Sequence, residues 1–392
     1  MATTAANIVV LGGGYAGVLA ANRLRRNQDL HISLVNARPH FVERIRLHQL
    51  AIGNDDAVEP YDTLLGDGVD LVVAAATRID APARQLHLAS GAVLDYDWLV
   101  YAVGSTGGAP RAVPGAAEFA FPLAEFEDAT RLRARLQDVP EHSPIVVVGG
   151  GLTGIEAASE FAEAGRPVTL VTDRLGPSLG TAGRKSVTKA LRRHGVRILE
   201  GVTVTAVTAD AVQLADGARL PSAVTVWTAG FGVPSLAADS GLTVDALGRL
   251  LTDETLTSVD DDRIIAAGDA AAPSGLPLRM SCQAAMPLGA QAAETVLARV
   301  AGAEAKALSQ AFTGQCISLG RTFGTVQLAH VDDTPRRAYI GGRTAAFVKE
   351  QVCRFTLRGL RWEADRPGAY RWFHSDWRQD LLSAADEAVP VR

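Results

Sequence analysis

Residues 8–26, IVVLGGGYAGVLAANRLRR, run from a β-branched stretch through Gly-x-Gly-x-x-Gly into helical apolar spacing, and residues 145–163, IVVVGGGLTGIEAASEFAE, repeat the pattern. Each copy reads as a strand, a tight turn and a helix. The turns are Gly12, Gly14 and Gly17 in the first copy and Gly149, Gly151 and Gly154 in the second. Such glycines let the backbone bend sharply, let a pyrophosphate approach the main chain and let helix pack closely on strand, while the helix N-terminus favours negative charge. Tyr15 and Ala16 open the first helix at the same place, and Glu156 lies in the first turns of the second. A second strand follows each helix. HISLV ends at Asn36, where a hydrogen-bonding partner for a ribose 2′-hydroxyl is expected, and VTLV leads to Thr172 and Asp173. Gly12 and Gly149 are too far apart in the chain for one βαβ unit, so the pattern implies two domains and two dinucleotides.

The bulk composition fits that reading. The chain has 392 residues, 47% hydrophobic and 21% charged, as expected of a globular protein of two or three domains. A net charge of −5 argues against a nucleic-acid partner, which calls for a basic face. The first strand begins too soon after Met1 for a signal peptide, and no apolar run approaches the roughly 20 residues of a membrane span. A cytoplasmic location is expected. Cys282, Cys316 and Cys353 are isolated, with no C-x-x-C or C-x-x-x-x-C, so neither a zinc ribbon nor a redox dithiol is read, and no metal ligand set is expected.

Three more marks follow in order. WLVYAVGSTG (98–107) and VTVWTAGFG (224–232) are apolar strands entering small-residue turns, and DDRIIAAGDAAA (261–272) is a strand ending in Gly268-Asp269 ahead of a helical run at 281–300. Over roughly residues 7–300 this order resembles the two-dinucleotide-binding flavoprotein reductases of the pyridine nucleotide-disulfide oxidoreductase superfamily. It is most similar to their type II NADH dehydrogenase branch, which includes relatives of apoptosis-inducing factor.

The resemblance implies an α/β fold of two Rossmann-like domains: a discontinuous FAD domain (1–114 and 239–308), an inserted NAD(P)H domain (115–238), and a C-terminal α+β region (309–392). LASGAVL (88–94) and LADGARL (214–220) are hairpin signals, one in each dinucleotide domain. The cofactors implied are FAD and, as co-substrate, NADH or NADPH. Asp269 would meet the flavin ribityl chain, and Gly104 and Gly230 would mark the crossings between domains. Asp173 leans the nicotinamide choice to NADH, while Arg174 and Arg184 are candidates for a 2′-phosphate.

For catalysis the same resemblance brings Cys282 and Gln283, at the start of the 281–300 helix, close to the flavin, where the helix dipole would stabilise a reduced, anionic ring. With no partner cysteine or base evident, Cys282 reads first as a small buried thiol. Within HFVERIRLHQLAIG (40–53), Arg44 and His48 stand four apart, either sharing a helical face over the flavin or lying on a solvated face. Related disulfide reductases carry redox cysteines in this neighbourhood and this chain has none.

The acceptor is expected to be quinone-like, yet the branch pattern A-Q-x-A-x-Q appears here as CQAAMP (282–287), keeping Gln283 and replacing the second glutamine with Pro287. In residues 347–362, Val348, Val352, Phe355 and Trp362 share helical steps, with Lys349, Arg354, Arg358 and Arg361 as a basic complement. That pattern fits a helix lying on the inner face of the cell membrane, or a core helix with a solvated edge. The C-terminal region also leaves a homodimer open. A biosynthetic flavin oxidoreductase and an NADH-sensing interaction protein are the alternative readings.

Overall fold

The structure, a computed structural model, describes residues 6–108 and 110–387. Residues 1–5, on which the expectation of no leader partly rested, lie outside the described residues. Two parallel five-stranded sheets dominate. The first runs Ile264–Ala266, Trp98–Tyr101, Ala6–Leu11, Leu30–Asn36, Val69–Val73 across its width, and the second runs Ala120–Pro122, Val224–Trp227, Ile145–Val148, Val168–Thr172, Arg197–Glu200. Each has its Gly-rich strand in the centre, between the second strand of its βαβ unit and the strand that ends in a small-residue turn. Both faces of the sheets are covered, which is why IVVV at 145–148 is apolar without alternation and wholly buried. The hairpins at 88–94 and 214–220 form, each turning at a glycine with positive φ, Gly91 and Gly217.

All of the second sheet lies between residues 120 and 227, and the first sheet takes its strands from either side of that stretch in the chain. Outgoing and returning segments run side by side, with Thr106 N–H donating to Gly232 O (2.8 Å) and Gly232 N–H to Thr106 O (2.9 Å). The pairing brings the two small-residue crossings side by side beyond the carboxyl ends of their strands, the end at which open α/β sheets bind their ligands.

The C-terminal region forms an antiparallel sheet, Gly314–Ser318, Gly324–Ala329, Pro335–Gly341, then the long helix Gly342–Asp365 and a last helix, Trp377–Glu387. It spans both dinucleotide-binding halves. Its sheet is bonded to the second half, through Ser178 Oγ to Gln315 Oε1 (2.7 Å) and Arg321 to Glu160 (2.6 Å). Its long helix is bonded to the first half, where buried Arg23 meets buried Glu363 at 2.7 Å and also donates to Tyr370 O.

The helix expected over 347–362 is present, with most of its quoted apolar row facing outward and a second seam packed inward; of the expected basic complement, Lys349 alone departs. Ala345, Lys349, Cys353, Thr356, Leu360 and Glu363 make the inward seam, so Lys349 leaves the basic surface complement and keeps only a small part of its side chain exposed. Phe347 (65% exposed), Val352, Phe355 and Trp362 (47%) face outward. Gly359 serves packing: a Cβ there would come within 2.9 Å of Met286 Cε on the neighbouring helix.

Candidate functional site

The two Gly-rich turns match contact for contact. A Cβ on Gly12 would strike the Ala102 carbonyl of the neighbouring crossing strand, and one on Gly149 would strike Thr228 and Ala229. Gly17 and Gly154 each press against the carbonyl of the first glycine of their own turn, where no side chain fits. Gly14 and Gly151 alone face open space, with nothing within 4 Å of a built Cβ, and their φ values of −84° and −69° suit any residue. No contact within the chain requires glycine at those two positions, and the space there fits the close approach of a pyrophosphate. Both turns fit a dinucleotide.

Around the first turn, Asn36 Oδ1 accepts from Gly13 N–H (3.0 Å), its Nδ2 donates to Arg38 O, and Tyr61 Oη–H donates to Gly13 O (2.8 Å). Asn36 thus braces the turn as well as standing at the strand end where a ribose is expected. Tyr15 is buried edge-on against Phe41, and Ala16 packs so tightly that its carbonyl blocks any side chain on Gly289. Gly268 turns with φ +71°, and Asp269 accepts from Ser105 Oγ–H at 2.7 Å. Arg44 donates to the Ser105 carbonyl and to Ala124 O (3.0 Å), with Gly104 beside its guanidinium. Asp269, Ser105, Gly104 and Arg44 are thereby gathered at the mouth of the first sheet. Gly230, with φ +81°, lies open at the other crossing. At the end of the second βαβ unit, Thr172 is buried with its hydroxyl donated to Arg174 O, and Asp173 is exposed.

His48 does not join Arg44. A 3-10 turn, Arg44–Arg46, precedes the short helix Leu47–Ile52, so no single helix carries both, and neither expectation for the pair holds. His48 is buried, and burial pushes it down to about 4, leaving a neutral ring at neutral pH. Its Nε2 lies 3.3 Å from Ser318 Oγ. Glu156, expected near the dinucleotide, has its carboxylate in the same cluster: Oε1 accepts from Ser318 N–H (2.9 Å) and pairs with Lys349 Nζ at 3.0 Å. Burial by itself would neutralise both partners. Burial is the largest single influence on each, but their mutual attraction and hydrogen bond, together with neighbouring groups such as the Ser318 N–H, outweigh it and hold Glu156 below and Lys349 above their ordinary values.

Sequence reasoning missed this cluster, because His48, Glu156, Ser318 and Lys349 come from four distant segments. The one signal was Lys349 itself, a scarce residue type here, set on the seam spacing of Ala345 and Cys353.

The helix Cys282–Val300 begins at Ser281, whose side chain caps the Ala284 N–H. Gln283 Nε2 donates to Thr313 Oγ1 at 2.7 Å. Cys282 is half-buried, and burial pushes its thiol up to about 11, so it carries no thiolate at neutral pH and reads as the inert alternative. Among the described residues no cluster of His, Cys, Asp and Glu is arranged to hold a metal ion.

Comparison with known proteins agrees with this geometry. The profile of the family described as "Pyridine nucleotide-disulphide oxidoreductase" matches residues 6–306. An NADH dehydrogenase-like protein of Mycobacterium tuberculosis is 33% identical over 320 residues, covering 74% of this chain and 80% of that protein. A type II NADH:quinone oxidoreductase of Staphylococcus aureus is 27% identical over 395 residues, covering 90% and 95%. In fold, the sulfide:quinone oxidoreductase of Aquifex aeolicus superposes with a TM-score of 0.79 at 21% identity, covering 97% of this chain and 95% of that one. The chain belongs to the pyridine nucleotide-disulphide oxidoreductase family and is an FAD-dependent NAD(P)H oxidoreductase.

Proposed function

We propose that the enzyme takes hydride from NADH bound at the second Gly-rich turn and delivers two electrons to a quinone, with no disulfide relay. The observation that carries this reading is the buried Glu156–Lys349 pair, joined through Ser318 to His48. Lys349 is carried on the helix that packs, at Gly359 against Met286, on the helix that the resemblance directs at the flavin. A fixed ammonium at that place stabilises negative charge developing on a reduced acceptor. The thiols around it do not substitute for it. Cys282, Cys316 and Cys353 are all unpaired, and burial raises each thiol above its ordinary value.

Bound FAD supplies the two-electron chemistry between nicotinamide and acceptor. Gly14 and Gly151 leave room for the two pyrophosphates, Asp269 offers a carboxylate for the ribityl chain, and Arg44 ties the first crossing to the second domain. The overall reaction, NADH + H⁺ + quinone → NAD⁺ + hydroquinone, balances with one solvent proton.

Quinones of respiratory type dissolve in lipid, and the outward face of helix Gly342–Asp365 suits a peripheral position on an anionic membrane. Its exposed rings, Phe347, Phe355 and Trp362, lie among Arg343, Arg354 and Arg358. Among the described residues no helix is long and apolar enough to cross a membrane. Steady-state assays of the FAD-loaded protein with NADH test the acceptor. Turnover is expected with a soluble short-chain quinone and not with glutathione disulfide; the reverse preference overturns the reading.

A further inference from the structure

Helix Cys282–Val300 carries Pro287 in its second turn. Proline has no N–H, so the carbonyl four residues before it, on Gln283, loses its intrahelical donor. The vacancy is filled from outside the helix: Gln310 Nε2 donates to Gln283 O at 3.0 Å. Gln310 comes from the segment between this helix and the C-terminal sheet. It is 1% exposed, and its own carbonyl is held by Trp377 Nε1 at 2.7 Å.

Gln310 Oε1, on the same amide group, is enclosed and accepts from nothing in the protein. Gln283 Oε1 is also enclosed and without a partner, its Nε2 being committed to Thr313. Buried acceptors lacking donors are rare in native proteins. Here two of them belong to residues linked at the first turn of one helix, Gln310 through its bond to the Gln283 carbonyl, and each amide is held in place by its nitrogen end. Each oxygen lacks a donor, which a ligand presenting hydroxyl groups would supply.

We propose that Gln310 is an acceptor-site residue, its Oε1 taking a hydrogen bond from a hydroxyl of the hydroquinone as it forms, beside Gln283. This rests on the quinone reading above. A quinone offers two carbonyl acceptors; the hydride equivalent from NADH and one solvent proton convert them to two hydroxyl donors. Amide oxygens therefore favour the product over the substrate and assist the reduction step rather than initial binding. Pro287 and Gln310 form one device. The proline removes a donor from inside the helix, and the glutamine that replaces it brings a second amide to the site.

Stopped-flow measurement of both half-reactions in Gln310→Leu tests this, with ferricyanide as an acceptor that needs no hydrogen bond. Reoxidation by a soluble quinone should slow roughly five- to tenfold, about the worth of one hydrogen bond, while reduction by NADH and reoxidation by ferricyanide stay within about twofold. Gln310→Leu combined with Pro287→Ala separates site from scaffold, because alanine returns the N–H to Gln283 O. Quinone reoxidation that stays slow in the double variant supports the proposal, and full recovery makes Gln310 a structural prop and overturns it. Slowing of both half-reactions in the single variant also overturns it, since the amide would then serve the flavin. Unchanged quinone reoxidation in the single variant overturns the role of Gln310 alone. A wild-type protein that no quinone reoxidises overturns the acceptor reading and this inference with it.

Discussion

Gly14 and Gly151 occupy equivalent places in two turns, and at neither does a contact within the chain exclude a Cβ. Valine at either position meets open space on an ordinary backbone, so both variants should fold. Gly14→Val is expected to purify with little FAD, its retention weakened at least tenfold, or about 1.4 kcal/mol. Gly151→Val should stay yellow and lose flavin reduction by NADH; the opposite pattern would interchange the two sites. His48 gives a second test at this scale. Its folded value near 4 lies below the unfolded value near 6.5, so the unfolded chain binds the extra proton between them. Stability from the neutral ring is complete above about pH 6.5 and is lost as pH falls toward 4. Between pH 7.5 and 4.5 the wild type should lose up to about 2–3 kcal/mol more than His48→Gln in urea unfolding. Equal losses would mean that the ring is solvated. The glycines were legible in the sequence because each acts within its own few residues. His48, Glu156 and Lys349 were not, since a charge is tolerated in the interior only beside its partner, and sequence spacing does not reveal partners more than a hundred residues away.

Helix Gly342–Asp365 shows why an apolar stripe misleads at the scale of one element. Helical periodicity identified a helix over 347–362, but the helix has two faces with non-polar content, and the quoted stripe proved to be the outer one. The inner seam was hidden because it includes Lys349 and Glu363, whose charges are matched by Glu156 and Arg23 from other parts of the chain. An outward row of rings among arginines predicts sedimentation with anionic vesicles that weakens as salt is added, each basic residue near the surface contributing about 1 kcal/mol. Phe347→Ser, Phe355→Ser and Trp362→Ser combined should abolish that binding and leave turnover with a soluble quinone intact. Salt-insensitive binding, or binding that survives the triple change, would place the contact elsewhere. Helix Cys282–Val300 is the contrasting case. Its N-terminus was readable from Ser281, whereas the meaning of Pro287 emerged only with Gln310 beside it.

At the scale of the molecule, two copies of one βαβ pattern became two sheets of the same strand arrangement, joined by paired crossings and spanned by the C-terminal region. The repeat was plain in the sequence because a parallel sheet covered on both faces needs unbroken β-branched runs and because Gly12, Gly17, Gly149 and Gly154, pressed against neighbouring backbone, leave no room for a side chain. The bridging role of residues 314–365 was not, being made of ion pairs and amide contacts between segments far apart in the chain, such as Arg23 with Glu363 and Arg321 with Glu160. That arrangement sets Lys349, carried on the long helix, against Glu156 of the second half, in a chain whose three cysteines are free. The central claim is that electrons from NADH pass through FAD to a quinone with no thiol stage. An anaerobic spectral titration measures it directly: one equivalent of NADH should bleach the flavin of the purified protein, and one equivalent of soluble quinone should then restore the full flavin spectrum and yield one hydroquinone. A flavin that stays bleached with quinone and recovers only with a disulfide would contradict the account.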